Sequence, residues 1–168
     1  MDAMEAILTR RSIRKYTNQP VSDEVLKELL EAAMYAPSAS NCQPWHFVVI
    51  KNRDILNEIP GFHPYSQMLK DAPLAILVCC DQGLQMGGYG VQDCSAATQN
   101  ILLAAHAKGL GAVWLGLYPT ERTVNPIKKL LNLPEQIIPV SLISIGYPAK
   151  QKPRPDRYRA DRIHHDHW

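Results

Sequence analysis

Apolar residues recur along this chain with two different periods, and the switching between them lays out its elements. Met4, Ile7 and Leu8 fall at helical spacing within Asp2–Thr9, which predicts a short helix ending on Arg10 and Arg11. Beyond the turn Asn18-Gln19-Pro20, Ser22 stands as an N-cap with Asp23 and Glu24 in the first turn. Val25, Leu26, Leu29, Leu30, Ala33 and Met34 then form one stripe, predicting a second helix that Pro37 ends. Trp45–Ile50 is aromatic and β-branched and reads as a strand. Two shorter helical segments, Arg53–Glu58 and Tyr65–Lys70, flank the breaker Pro60-Gly61. Pro73 opens a second strand, Leu74–Cys80, whose almost unbroken apolar run demands cover on both faces. Val91–Lys108 carries Ala96, Ala97, Ile101, Leu102, Ala104 and Ala105 on one broad side and predicts the longest, central helix, stopped by Gly109-Leu110-Gly111. A third strand at Ala112–Leu117, a helix at Val124–Leu131 and a fourth strand at Ile137–Ile145 follow, and Gly146-Tyr147-Pro148 closes the folded part. From Ala149 onward no apolar period persists, so an extended arm is expected, packed on a surface of this chain or of a neighbour.

Composition narrows this picture. With 168 residues, 46% of them hydrophobic, the chain suits one compact domain over residues 1–148 followed by the arm 149–168. A charged fraction of 20% and a net charge of +2 argue against a disordered chain and against a surface built for nucleic acid. No apolar run approaches the ~20 residues that span a bilayer. Met1-Asp2-Ala3-Met4-Glu5 is acidic where a secretory signal is basic, so the expectation is a cytoplasmic protein with no membrane partner. Cys42, Cys79, Cys80 and Cys94 show no metal or disulfide spacing and read as reduced thiols.

The basic residues are unevenly placed. Arg10, Arg11, Arg14 and Lys15 crowd one end, and Lys150, Lys152, Arg154, Arg157, Arg159 and Arg162 crowd the other. These clusters meet on one anion if the termini pack together; a solvated tail is the plainer alternative. Basic side chains at a helix C-terminus gain ~0.3–1 kcal/mol from the macrodipole, which accounts for one arginine but not for a group with a serine inside it. Guanidinium groups recognise phosphate bidentately and Ser12 adds a neutral hydrogen bond, so Arg10-Arg11-Ser12 suits a monophosphate. The turn-rich stretch Ala36-Pro37-Ser38-Ala39-Ser40-Asn41-Cys42-Gln43-Pro44-Trp45 adds small hydrogen-bonding residues and an aromatic anchor. Together the two stretches point to a phosphate-bearing cofactor.

Other sites are demoted. The glycines of Gly83–Gly90 make no G-x-G-x-x-G turn and no G-x-x-x-x-G-K-[ST] exists, so neither a Rossmann site nor a P-loop is supported. His164-His165-Asp166-His167 lacks a second ligand group and reads as an adventitious metal binder. His46 and His106 sit in a strand and a helix, where a hydrogen-bonded structural histidine is the commoner role. Cys42 has no cationic partner in sequence that would make it a nucleophile.

Taken together, these stretches resemble the flavin-dependent nitroreductase family in its short form. The resemblance runs from Arg10-Arg11-Ser12-Ile13-Arg14 through Ala36-Pro37-Ser38, Asn41-x-Gln43-Pro44-Trp45-His46-Phe47, Asp71-Ala72-Pro73, Gly109-Leu110-Gly111 and Trp114-Leu115-Gly116 to Gly146-Tyr147-Pro148. It implies an α+β sandwich, a central and mainly antiparallel sheet flanked by helices, in a homodimer with FMN at the subunit interface and the arm embracing the partner. It further implies that Arg10, Ser12 and Arg14 contact the FMN, Arg10 toward the phosphate and Arg14 toward the pyrimidine end, with Arg11 a neighbour of unassigned role. Pro37, Ser38, Ala39 and Asn41 would approach the ring or ribityl chain from the other subunit. The Trp114-Leu115-Gly116 backbone would lie near N5, with the Leu115 N–H as its donor. Arg157 would complete the phosphate site, and Gln67 is the candidate for an amide that touches the flavin.

The implied function is an FMN-dependent oxidoreductase. It would carry electrons from NAD(P)H to nitroaromatics, quinones or similar small acceptors by a ping-pong scheme that needs no acid–base side chain. A flavin-binding sensor or reservoir without physiological turnover is the alternative from another class.

Overall fold

A computed structural model describes residues 1–150 and 152–168, so the expected arm is described apart from residue 151. In chain order the helices are α1 (Ala3–Thr9), α2 (Asp23–Met34), α3 (Arg53–Glu58), α4 (Gly90–Ala107) and α5 (Glu121–Leu130). The strands are β1 (Trp45–Ile50), β2 (Leu74–Asp81), β3 (Gly111–Gly116) and β4 (Ile137–Gly146), and single 3-10 turns occupy Ala39–Asn41, Ile59–Gly61, Gln67–Lys70 and Ala160–Arg162. Among the described residues the strands form one sheet in the order β1-β2-β4-β3, with every neighbouring pair antiparallel.

The sheet has a core on each face. Along β2 the side chains alternate: Leu74, Ile76, Val78 and Cys80 join Leu29, Ala33, Ala97 and Ile101 of α2 and α4, while Ala75, Leu77 and Cys79 join Leu56, Ile59, Leu69 and Ile127 on the other side. That double cover explains the unbroken apolar run of β2. α4 lies between α2 and the sheet, and its Asn100 amide donates to the Ala32 carbonyl of α2 at 2.9 Å. α2 begins as expected, with Ser22 Oγ accepting from the Val25 N–H, and it stops at Met34 ahead of Pro37. α4 ends on Gly109, whose φ of +77° suits the residue without a Cβ, and the Leu110 N–H closes back on the Ala105 carbonyl at 2.8 Å.

Three local departures bear on the site. α5 starts at Glu121 rather than Val124, because the Thr120 carbonyl accepts from the Thr123 and Val124 N–H groups at 2.9 Å and opens the first turn there, with Pro126 accommodated inside. The helix expected at Tyr65–Lys70 shrinks to Gln67–Lys70, since Pro64 precedes it and Ser66 spends both its N–H and its hydroxyl on the His63 carbonyl. In β4 the register slips at Val140, which faces no residue of β2; its carbonyl accepts from both Leu117 and Tyr118 N–H at 3.2 Å and ends the β3 pairing there.

Candidate active site along the outer edge of β3

The segment after α1 lies against β3, the edge strand. The Ile13 N–H donates to the Ala112 carbonyl at 3.0 Å, and Ser12 forms a parallel bridge with Ala112. This approach requires Gly111, because a Cβ there would stand 2.6 Å from Ile13 Cγ2. Tyr16 anchors the far end of the segment, its hydroxyl donating to the Ile13 carbonyl at 2.9 Å and the Ser144 carbonyl at 3.1 Å. Ile13 is thereby buried while Arg14 faces outward.

In an antiparallel ladder the N–H and C=O of one residue point the same way, and the direction alternates along the strand. Ala112 and Gly116 point away from β4, because their carbonyls accept from Ile13 and from His63 Nε2 at 3.1 Å, whereas the Leu117 N–H points toward Val140 of β4. Trp114 must therefore also point outward. Between the Ile13 and His63 contacts, the Trp114 N–H and C=O and the Gly116 N–H form a run of strand edge without a partner among the described residues. Leu115 stands opposite Leu142 with its N–H turned into the β4 ladder, not toward the open edge where a donor was expected.

A cavity of about 390 Å³ opens on this edge, lined by Arg14, His63, Pro64, Tyr65, Thr120 and Thr123 together with Trp114–Gly116. Nothing stands within 4 Å of where a Gly116 Cβ would be, so the strand end is open to a ligand. Arg14, Trp114, Leu115 and Gly116 thus line one cavity. Gln67, the candidate amide, is exposed on its 3-10 turn and does not line this cavity, whose wall there is made by His63, Pro64 and Tyr65.

The second expected convergence concerns Arg10. Burial first, then the positive charges of Arg157 and Arg11, lower its pKa, so Arg157 from the arm lies close enough to be felt. Among the described residues the ion pairs are His46–Asp81, Lys51–Asp23 and Lys108–Glu28, and none supplies Arg10 or Arg157 with a carboxylate. Positive charge gathered in this way attracts an anion such as a phosphate. Arg11 is turned elsewhere, donating to the Pro153 carbonyl, while Lys152 Nζ donates to the Ser12 carbonyl at 3.0 Å and the Ala149 N–H to the Lys15 carbonyl at 3.0 Å. The start of the arm is therefore pinned to the chain's own basic segment.

Pro37, Ser38, Ala39 and Asn41 do not line this cavity within one chain. Their loop is distorted: Ser40, Asn41 and Gln43 all have φ near +50°, a region that non-glycine residues rarely adopt. Asp93 of α4, only 6% exposed, accepts from the Ala39 N–H at 3.0 Å through Oδ1, and Ser38 Oγ accepts from the Gln43 N–H at 3.0 Å. Neither His63 nor Asp93 was legible as a site residue, since one sits in an irregular connection and the other on an apolar helix. A polar residue in a loop between a helix and a strand was the available signal for His63.

The remaining candidates are structural. His106 Nε2 lies 2.8 Å from Thr9 Oγ1, with its pKa lowered by burial and by Arg10. Burial pushes the Cys79 thiol up to about 12 and raises Cys80 and Cys94 as well, so these three are poor nucleophiles. Among the described residues no group of three His, Cys, Asp or Glu side chains is placed to hold a metal, and no helix is long and apolar enough to cross a membrane.

The family model described as the nitroreductase family matches residues 7–62 and 62–147. A Methanothermobacter thermautotrophicus protein, provisionally named NADH dehydrogenase/NAD(P)H nitroreductase, is 54% identical over 169 residues, covering 100% of this chain and 88% of its own. A crystal structure from Bacteroides thetaiotaomicron with the same provisional name is 41% identical with a TM-score of 0.95, covering 99% of this chain and 98% of that one. A Desulfovibrio desulfuricans protein, provisionally a nitroreductase and solved in complex with FMN, is 34% identical with a TM-score of 0.85 over 100% of this chain and 99% of its own.

Proposed function

The chain belongs to the nitroreductase family, and from that premise we propose that it is an FMN-dependent oxidoreductase passing electrons from NAD(P)H to nitroaromatics, quinones or similar small acceptors in a ping-pong cycle. The observation that carries this reading is the outward-facing β3 edge beside Arg14, and the positive charge that Arg157 adds to the surroundings of Arg10 supports it. Those features suit FMN in particular. A phosphate dianion matches two guanidinium groups that have no carboxylate, and a flat heterocycle with acceptor and donor atoms along one edge matches strand donors and an acceptor awaiting partners. The FMN complex of the D. desulfuricans relative supports the same cofactor.

When bound, FMN supplies the hydride-accepting and hydride-returning chemistry. Arg10, Arg157 and the Ser12 hydroxyl would hold the phosphate. The Trp114 and Gly116 N–H groups would offer donors, and the Trp114 carbonyl an acceptor, to the polar edge of the ring. Arg14 holds positive charge beside the pyrimidine end, where negative charge grows on reduction. No side chain moves a proton in this scheme; solvent reaches the open Gly116 end of the cavity.

We take residues 1–148 as the cofactor-binding domain and residues 149–168 as an arm that reaches a second copy of the chain. Exposed Met4, Ile7 and Leu8 on α1 and exposed Met34 and Tyr35 at the end of α2 supply an apolar surface for that copy. In the dimer the Pro37–Asn41 loop would come from the partner to complete each cofactor site.

The test is the visible spectrum of the purified protein before and after anaerobic NADH or NADPH. A bound flavin that either nucleotide bleaches within the turnover time supports the oxidoreductase. A bound flavin that neither nucleotide reduces supports a sensor or reservoir, and a colourless protein that takes up no FMN defeats both readings.

A further inference from the structure

His63 is 3% exposed and fills the wall of the cavity between the 62–66 connection and the end of β3. Its two ring nitrogens meet groups of fixed polarity. Nδ1 lies 3.3 Å from the Tyr65 N–H, which can only donate, and Nε2 lies 3.1 Å from the Gly116 carbonyl, which can only accept. With Nδ1 accepting from Tyr65, Nε2 is the nitrogen that donates to the Gly116 carbonyl. Its backbone is fixed as well, by its own N–H to the Ile59 carbonyl at 3.0 Å and by the Ser66 hydroxyl on its carbonyl at 2.8 Å.

Gly116 needs such a partner. It is the last residue of an edge strand, has no side chain to pack and has open space where a Cβ would be. The Leu117 N–H holds the following peptide from the β4 side, and His63 holds the same peptide from the cavity side.

We propose that His63 is a positioning residue for the cofactor: by clamping the Gly116 carbonyl outward, it keeps the strand edge in register so that the Trp114 and Gly116 N–H groups face the ring. This inference rests on the FMN reading above. It goes beyond it by assigning the pre-alignment of the edge to a side chain outside the strand.

Amide side chains separate the two contacts. His63→Gln places an amide N–H near the Nε2 position and keeps the bond to Gly116, whereas His63→Asn places an amide oxygen near the Nδ1 position and keeps the bond to Tyr65. His63→Phe keeps the shape and neither bond. FMN titration of apo-protein and the absorption band shape of bound flavin are measured for wild type and these three variants, with circular dichroism and thermal midpoints as fold controls. We expect His63→Phe and His63→Asn to bind FMN about tenfold more weakly, with an altered band shape, and His63→Gln to return to within about threefold of wild type; one lost hydrogen bond corresponds to roughly a factor of ten. Equal FMN affinity and band shape in all four proteins overturn the role of His63 while leaving FMN binding intact, and so does rescue by Asn rather than Gln. If His63→Phe fails to fold, the Asn and Gln pair decides alone. A wild type that binds no FMN instead overturns the underlying functional reading, and this inference with it.

Discussion

The carboxylate of Asp93 accepts a hydrogen bond from the Ala39 N–H at 3.0 Å, tying the first turn of α4 to a loop with three left-handed non-glycine residues. The other carboxylate oxygen, Oδ2, is buried without a protein partner. A buried acidic oxygen costs stability, and left-handed Ser40, Asn41 and Gln43 cost more, so the contact holds the loop in a shape that the chain would otherwise leave. In the proposed dimer this loop borders the partner's cofactor.

Replacing Asp93 separates shape from charge. Asn keeps an acceptor for Ala39 and puts an amide where Oδ2 stands alone, so we expect Asp93→Asn to stay within about 1 kcal/mol of wild type. Asp93→Ala strands the Ala39 N–H and should cost roughly 1–3 kcal/mol. Urea unfolding midpoints measure both, and Ala should also weaken FMN binding in titrations where Asn does not.

Arg10 and Arg157 act on the same proposed phosphate. Each single change to Ala removes a charge-assisted contact of about 1.5–3 kcal/mol, so FMN affinity should fall by at least about tenfold. In a double-mutant cycle on FMN binding the two losses should not add, because their mutual repulsion disappears along with the contact. Additive losses, or full retention of FMN in Arg10→Ala, would contradict the shared site.

Tyr16 makes the fold alkali-sensitive. Burial is the largest influence on its phenol and pushes it up to about 12, against the smaller lowering effects of the Ser144 contact and Arg14. A folded-state value above the unfolded one, about 10 for tyrosine, means that the stabilisation is complete below pH ~10 and is lost as pH rises through ~12. The loss amounts to about 2–3 kcal/mol at most. Thermal midpoints measured across this alkaline window should fall more steeply for wild type than for Tyr16→Phe.

Gly111 decides how closely the basic segment approaches β3. In Gly111→Ala the added methyl meets Ile13 side-chain atoms at 2.6 and 2.7 Å, which must displace the Ile13 contact to Ala112. We expect a loss of about 1–3 kcal/mol in stability together with weaker FMN binding, since Arg14 rides on the same segment.

The dimer is tested by charge on α1. Ile7→Glu leaves the core untouched because Ile7 is exposed in the single chain, so the variant should fold. Sedimentation at low micromolar concentration should then find a monomer that has lost FMN, against a holo-dimer for wild type. A holo-monomer of wild-type protein would refute the shared site.

Much of this molecule was legible along the chain. Apolar spacing, β-branched runs and the Pro, Gly and capping residues between them placed the strands β1, β2, β3 and β4 and the helices α1, α2, α3 and α4 to within a residue or so, because each element buries one face or both and its side chains must match that burial. The apolar run of β2 announced a strand covered on both sides, and Ser22 and Gly109 marked a helix start and a helix stop through their own chemistry. Arg10 and Arg14 stood out because guanidinium clusters have few structural uses.

Only tertiary structure decided the rest, since it depends on what lies opposite a group rather than beside it in sequence. Which N–H groups of β3 face outward is a matter of ladder phase, and that phase turns the Leu115 N–H into the β4 ladder and those of Trp114 and Gly116 away from it. The neighbourhood of Arg10 and Arg157, the clamp of His63 on Gly116 and the grip of Asp93 on Ala39 all join residues far apart along the chain. Periodicity reports which face is buried, but hydrogen-bond partners are assigned only when the sheet closes and brings distant backbone edges within about 3 Å of one another.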